Sequence, residues 1–189
     1  MRYANRNAVV LGLGLTGLSL ARHLVREGAR VRVADTRDAP PNAARLAAEL
    51  PGVPLETGPL ADATFAGADM IAISPGVPQD QPAIAAAVAR GVELAGDIEL
   101  FARALPPGQK VLAITGTNGK TTVTALTGSL CRAARLDTVV AGNIGEAVLD
   151  AIAPFDGRGA TRRWPDVFVL ELSSFQLETT VSLRPTAAT

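Results

Sequence analysis

Residues Thr115-Gly116-Thr117-Asn118-Gly119-Lys120-Thr121-Thr122 constrain this chain more than any other stretch. They follow an apolar run, Val111-Leu112-Ala113-Ile114, and precede a helical pattern over 120–134. A strand, a tight glycine turn and a helix start form a phosphate cradle: backbone N–H groups point inward, the helix dipole faces the anion, and a lysine reaches the outer phosphates. Thr121 then stands where a hydroxyl ligates the magnesium of a nucleoside triphosphate. Of the 18 basic residues, only Lys110 and Lys120 are lysines. An arginine-rich chain thus keeps a compact ammonium where a point charge must lie among phosphate oxygens. The match to G-x-x-x-x-G-K-[ST] is partial, since its first glycine would fall at Ile114 and Gly116 lies two residues later.

A second glycine turn lies near the amino terminus. Gly12-Leu13-Gly14-Leu15-Thr16-Gly17 matches G-x-G-x-x-G between a predicted strand at 8–11 and a predicted helix at 17–27, and Asp35 closes the next predicted strand. The pattern suits a pyrophosphate joined to a nucleoside, in NAD or in a UDP group alike. Asp35, Thr36 and Arg37 place an acceptor, a hydroxyl and a cation at a strand's carboxyl end, where open α/β sheets bind ligands. Ser74-Pro75-Gly76 ends another predicted strand and offers either a ligand contact or an ordinary turn.

Strand and helix signals alternate along the chain, with strands at 31–34, 69–74, 92–95, 111–115, 138–141 and 167–170. The intervening helices fall at 42–50, 81–90, 97–104, 120–134 and 145–152. This predicts α/β architecture: a Rossmann-like parallel-sheet domain over 1–105, a linker at 106–109 where Pro106-Pro107-Gly108 breaks the pattern, and a truncated P-loop ATPase-type α/β domain over 110–189. A polar loop is expected around 156–164. Residues 185–189 read as the approach to a fourth strand of the second unit, so the chain reads as part of a longer protein.

Near the end of the 167–170 run, Glu171 is a candidate magnesium-handling acid or a surface carboxylate, with Ser173, Ser174 and Gln176 following as polar groups. Asn143 lies between strand and helix and suits an oxyanion or a helix N-cap. His23, the single histidine, falls between Arg22 and Arg26 on the expected polar side of its helix and reads as a surface residue. Cys131, the single cysteine, reads as a small core residue in a reducing compartment. With one His and one Cys, the sequence offers no zinc cluster and no Ser/His/Asp or Cys/His catalytic arrangement.

At net charge zero and 48% hydrophobic content, the chain reads as globular, without the basic patch of a nucleic-acid binder. Arg2, Arg6 and the apolar stretch 8–21 imitate a secretory leader, but glycines interrupt that stretch and it is too short to span a bilayer. The expectation is a cytoplasmic monomer with no membrane insertion.

Six segments in this order resemble the Mur ligases of bacterial cell-wall synthesis: Gly12–Gly17, Ser74-Pro75-Gly76-Val77, Gly96-Asp97-Ile98-Glu99-Leu100-Phe101, Thr115–Thr122, Gly142–Gly145, and Glu171-Leu172-Ser173-Ser174-Phe175-Gln176-Leu177-Glu178. Within that family the pattern is nearest to the member that adds D-glutamate to UDP-N-acetylmuramoyl-L-alanine. The resemblance implies a UDP-substrate site formed by Gly14, Leu15, Thr16, Asp35, Thr36, Arg37 and Ser74, Pro75, Gly76, with Asn143, Ser173 and Gln176 contacting the muramoyl part. It implies ATP bound by Gly116, Thr117, Asn118, Gly119, Lys120, Thr121 and Thr122, with Mg2+ at Thr121 and Glu171, and Lys120 and Glu171 as the catalytic pair. The implied reaction runs through an acyl phosphate that the amine of D-glutamate displaces. Ligands of a second metal, and the domain that positions D-glutamate, would lie beyond Thr189, leaving this piece inactive by itself. Two other readings stay open on the residues alone: an NAD-dependent oxidoreductase, which leaves the second loop unused, and a non-catalytic nucleotide-binding regulatory module.

Overall fold

The computed structural model describes residues 1–156 and 160–189. The expected polar loop at 156–164 therefore lies partly outside the described residues. The chain divides into two compact units, Met1–Asp97 and Ile98–Thr189.

In the first unit, β1 (Asn7–Leu11), α1 (Leu15–Arg26), β2 (Arg30–Asp35), α2 (Ala43–Glu49), β3 (Leu55–Thr57), β4 (Met70–Ile73), α3 (Pro82–Ala89) and β5 (Glu93–Gly96) follow one another. All strand pairs are parallel, in the order β3-β2-β1-β4-β5. β1 and β4 are buried along almost their whole length, as expected for central parallel strands covered on both faces. Val9, Leu11, Ile71 and Ile73 share one face with Ile84 and Ala87 of α3 and with Phe65. The alternating residues Ala8 and Val10 point the other way, the side on which α1 contacts β1 and β2. The chain builds outward from β1 to β3, then returns to place β4 on β1's other side. The carboxyl ends of β1 and β4 thus flank a switch point, where crevices form in such sheets.

The second unit carries most of α4 (Asp97–Ala104), then β6 (Lys110–Ile114), α5 (Lys120–Ala133), β7 (Thr138–Gly142), α6 (Val148–Ala151), β8 (Val167–Glu171), α7 (Ser174–Glu178) and β9 (Ala187–Ala188). Its sheet is also parallel, ordered β7-β8-β6-β9. β9 is the fourth strand expected after Pro185. The division falls ahead of the Pro106–Gly108 break because α4 packs with the second unit. Phe101 meets Phe168 edge-on at 5.3 Å, within a cluster that includes Phe155 and Trp164. Glu99 accepts hydrogen bonds from the Val181 and Ser182 amides (2.7 Å each), the Ser182 hydroxyl (2.6 Å) and Arg103 (2.8 Å). Burial pushes the Glu99 carboxyl up, but these donors outweigh it and hold it down at about 2.

Two expectations fail. Cys131 is only partly buried, because α5 approaches the sheet through its small residues: Thr124 and Gly128 are its buried positions. His23 is fully buried rather than superficial. Tyr3, from the segment preceding β1, covers it with an edge-on ring contact at 6.2 Å, and the Tyr3 amide donates to the Glu27 carbonyl. A guanidinium only donates, so the 3.1 Å contact from Arg26 Nη2 makes His23 Nδ1 the acceptor and leaves the neutral ring's proton on Nε2.

Burial, reinforced by the charge on Arg26, lowers the His23 pKa from 6.5 to about 4. The unfolded chain therefore binds a proton that the folded chain refuses between these values. Stability should fall by up to about 3 kcal/mol as pH drops from 6.5 to 4, then level off for this group. Urea titrations at a series of pH values should show that loss, and His23→Gln should flatten it. An unchanged slope in the variant would remove His23 as its cause.

Candidate nucleotide sites at the strand ends

Three glycines shape the first loop for three different reasons. Gly12 turns the chain with φ +82° as its amide donates to the Ala34 carbonyl at 2.8 Å. A Cβ on Gly17 would lie 1.7 Å from the Gly12 carbonyl oxygen, so α1 can start this close to β1 only with glycine there. A Cβ on Gly14 would meet nothing within 4 Å, and Gly14 is the N-cap of α1 in an extended conformation. The first-turn N–H groups behind it thus face open space, the arrangement that admits an anion. Leu15 is exposed and Thr16 half-buried beside them.

Asp35, at the end of β2, is buried and accepts from the Leu13 amide (2.6 Å), the Arg37 amide (2.9 Å), and Arg37 Nε and Nη2 (2.8 and 2.5 Å). The Arg37 hydrogen bonds, helped by the two amides and opposed by burial, hold its carboxyl at about 2. Thr36 and Arg37 are exposed. Ser74, at the end of β4, is buried and donates to the Gly12 carbonyl at 3.1 Å. Its hydroxyl proton therefore ties two loops together, while Pro75 and Gly76 continue outward with more exposure. The residues predicted from 14–16, 35–37 and 74–76 all stand at the carboxyl ends of the adjacent strands β2, β1 and β4.

The second unit repeats the placement. Thr115 to Gly119 leave β6 exposed, Gly116 and Gly119 have φ +142° and +76°, and Gly119 is the N-cap of α5. Glycine has no side chain to occupy the first-turn N–H groups, so they are left to solvent or an anion. Lys120 Nζ folds back to donate to the Gly116 carbonyl at 2.7 Å. Thr121 donates to Glu171 Oε2 at 2.9 Å, and Asn143 Nδ2 donates to Glu171 Oε1 at 2.8 Å. Glu171 is the last residue of β8 and is buried, not the surface carboxylate that was one reading of it. Gly142 allows the Asn143 approach, since a Cβ there would lie 2.3 Å from the Glu171 carbonyl oxygen. Lys120, Thr121, Asn143 and Glu171 are thereby drawn together from three neighbouring strand ends.

Gln176 and Ser173 behave differently. Gln176 is buried and its Oε1 accepts from the Ser173 amide at 3.0 Å, while Ser173 Oγ accepts from the Gln176 amide at 3.2 Å. This is a capping box starting α7. Its signal, Ser followed three residues later by Gln, is present in the sequence. Sequence reading also left aside Glu99, whose clamp on Val181 and Ser182 joins residues far apart in the chain and leaves no local pattern.

The pattern described as "Mur ligase MurD-like, N-terminal domain" matches residues 6–96, and that of the "Mur ligase middle domain" matches 114–189. The chain belongs to the Mur ligase family. It is 57% identical, over its whole length, to the UDP-N-acetylmuramoylalanine–D-glutamate ligase of Chromobacterium violaceum and 56% identical to that of Thiobacillus denitrificans. It spans 41% and 42% of those Mur ligases. The fold is that of solved Mur ligases: a UDP-N-acetylmuramate:L-alanyl-gamma-D-glutamyl-meso-diaminopimelate ligase from Neisseria meningitidis superposes with TM-score 0.60 at 19% identity, over 98% of this chain and 60% of that one. A murein peptide ligase from Psychrobacter arcticus gives 0.57 at 21%, over 97% and 42%. No helix among the described residues is long and apolar enough to cross a membrane.

The glycine geometry separates two neighbouring substitutions. Gly17→Ala should destabilise the chain by about 2–3 kcal/mol through the clash with the Gly12 carbonyl. Gly14→Ala, whose backbone suits alanine, should change stability by less than about 1 kcal/mol. Thermal melts of both variants check the contrast, and equal losses would contradict it.

Proposed function

We propose that this chain supplies the nucleotide-sugar and ATP-binding parts of a ligase that adds D-glutamate to UDP-N-acetylmuramoyl-L-alanine. The observation that carries the reading is identity above 50% across the whole chain to relatives named for that product. In this reading the loop ends of the first unit hold the UDP group: Gly14, Leu15 and Thr16 at the diphosphate, and Thr36 and Arg37 with Ser74, Pro75 and Gly76 around the nucleoside, Asp35 standing behind Arg37. Asn143, Ser173 and Gln176 serve the muramoyl part, the last two by holding the start of α7 in place.

The second loop suits a triphosphate on its own chemistry. Gly116, Thr117, Asn118, Gly119, Lys120, Thr121 and Thr122 surround an exposed helix start whose N-cap carries no side chain. Lys120 uses one of its three N–H donors on its own loop and keeps the others for phosphate oxygens. The Thr121 hydroxyl and Glu171 carboxylate are hard oxygen donors. Two such donors suffice for Mg2+, which binds through one or two protein oxygens together with phosphates and water. Because Thr121 directs its proton to Glu171, its oxygen lone pairs stay available to a cation. Bound Mg2+ would neutralise charge on the transferring phosphoryl group.

The substrate carboxylate attacks the γ-phosphorus of ATP, giving an acyl phosphate and ADP. The amine of D-glutamate then displaces phosphate and forms the amide. The work asked of the chain is to hold two anions in line and to offset their repulsion: Lys120 supplies a positive charge, and Thr121 and Glu171 would hold the Mg2+ that adds to it. The chain spans 41% and 42% of those relatives, and in this reading it binds UDP-linked substrate without forming an amide by itself. In the full-length enzyme, Lys120→Ala should lower turnover on the order of 10² or more in a phosphate-release assay. Near-normal turnover would overturn the assignment of Lys120. Amide formation by the 189-residue chain itself would overturn the division of labour.

A further inference from the structure

In a G-x-G-x-x-G unit, the acid that ends the second strand is expected to accept a ribose hydroxyl. Here that acid is Asp35, and its oxygens are already used. Oδ1 accepts from the Arg37 amide and Arg37 Nε, and Oδ2 accepts from the Leu13 amide and Arg37 Nη2. A carboxylate has about four lone-pair sites, and the side chain is only 2% exposed. Nothing remains with which to receive a hydroxyl.

We propose that Asp35 touches no ligand: it is a positioning residue that locks Arg37 and the Leu13 amide, so that a cationic edge rather than an acid meets the nucleotide. This rests on the first unit's being the UDP-substrate site. The Arg37 side chain is 52% exposed. Nε and one Nη2 hydrogen point to Asp35, so the Nη1 group and the second Nη2 hydrogen are free to donate outward. The conformational entropy of ordering a long arginine is lost on folding rather than on binding, which is how a preorganised contact gains affinity. Ligand groups that accept, such as carbonyl or phosphate oxygens, gain from such an edge. A ribose hydroxyl, of UDP or of a dinucleotide, therefore has to find its acceptor elsewhere than on Asp35. Ionised Asp35 keeps the lock closed throughout the neutral range, in keeping with its depressed pKa.

A double-mutant cycle on the 189-residue chain tests this, with UDP as the probe in calorimetric titrations. Asp35→Asn retains an oxygen for the Leu13 amide but loses the charge and the bidentate geometry that Arg37 needs. Asp35→Asn and Arg37→Ala should each weaken UDP binding about tenfold, the loss of one charge-assisted contact. Adding Asp35→Asn to Arg37→Ala should then change affinity by less than about twofold, since a residue acting through another has nothing left to position. An undiminished effect of Asp35→Asn in the Arg37→Ala background would mean direct contact and overturn the proposal. A readout without ligand accompanies it: the Arg37 Nε–H nuclear magnetic resonance signal should exchange slowly with water in the parent chain and quickly in Asp35→Asn. Rapid exchange in the parent chain would also overturn the lock. If the parent chain binds no UDP, the reading of the site fails instead, and the exchange of Arg37 still decides the lock.

Discussion

Burying a carboxylate is tolerated only when hydrogen bonds replace the water it loses, and Asp35, Glu99 and Glu171 each meet that condition at a different loop. Asp35 gathers the amide of Leu13 and the whole Arg37 head. Glu99 gathers Val181 and Ser182 from across the second unit. Glu171 gathers Thr121 and Asn143 from the two strand ends on either side of its own. In each case the acid sits in or beside a regular element and takes donors from loops, joined by Arg103 of α4 at Glu99 and by Thr121 of α5 at Glu171. The sheets supply fixed points, and the carboxylates convert them into fixed loops.

The two units reach a similar layout by different local means. Both present loops at the carboxyl ends of parallel strands, next to the place where the strand order reverses. The first loop brings a helix start against its strand through Gly17 and leaves the way in front of Gly14 clear. It offers backbone amides and, beyond them, one arginine. The second loop uses glycines at positive φ to expose the start of α5 and adds a lysine and a threonine within it. The difference matches the anions proposed for them. A diphosphate esterified at both ends carries less charge than a terminal triphosphate, which needs a mobile ammonium and a metal-competent hydroxyl as well.

The parallel core strands were legible because burial on both faces forces continuous apolar runs such as Val9-Val10-Leu11 and Phe168-Val169-Leu170. The two glycine loops were legible because Gly12, Gly116 and Gly119 sit at positive φ and Gly17 packs against the Gly12 carbonyl, positions that call for glycine. β3 was not, since Leu55-Glu56-Thr57 is a short, half-exposed edge strand with no apolar run to mark it. His23 was misread because helical periodicity shows what α1 presents, while the segment that covers it comes from before β1. Gln176 was assigned to the substrate, while its spacing from Ser173 also encodes a cap, and that cap forms. The Glu171 cluster lies between these cases. Each member could be singled out alone, but their meeting depends on β8 lying between β6 and β7, an order that no local pattern contains.

The first loop shows why a glycine fingerprint specifies a cradle and not a ligand. Gly12, Gly14 and Gly17 answer to the geometry of a strand, a turn and a helix start, and any pyrophosphate can use the result. What the next strand end can accept from a nucleoside depends on how many lone pairs of the acid stay free. An arginine two residues after the acid can fold back and occupy them, as Arg37 does with Asp35. The dipeptide spacing is short enough that one tight turn delivers both the Arg37 amide and its guanidinium to the same carboxylate. With that carboxylate occupied, the donors left facing outward at this strand end are those of the half-exposed Arg37 head.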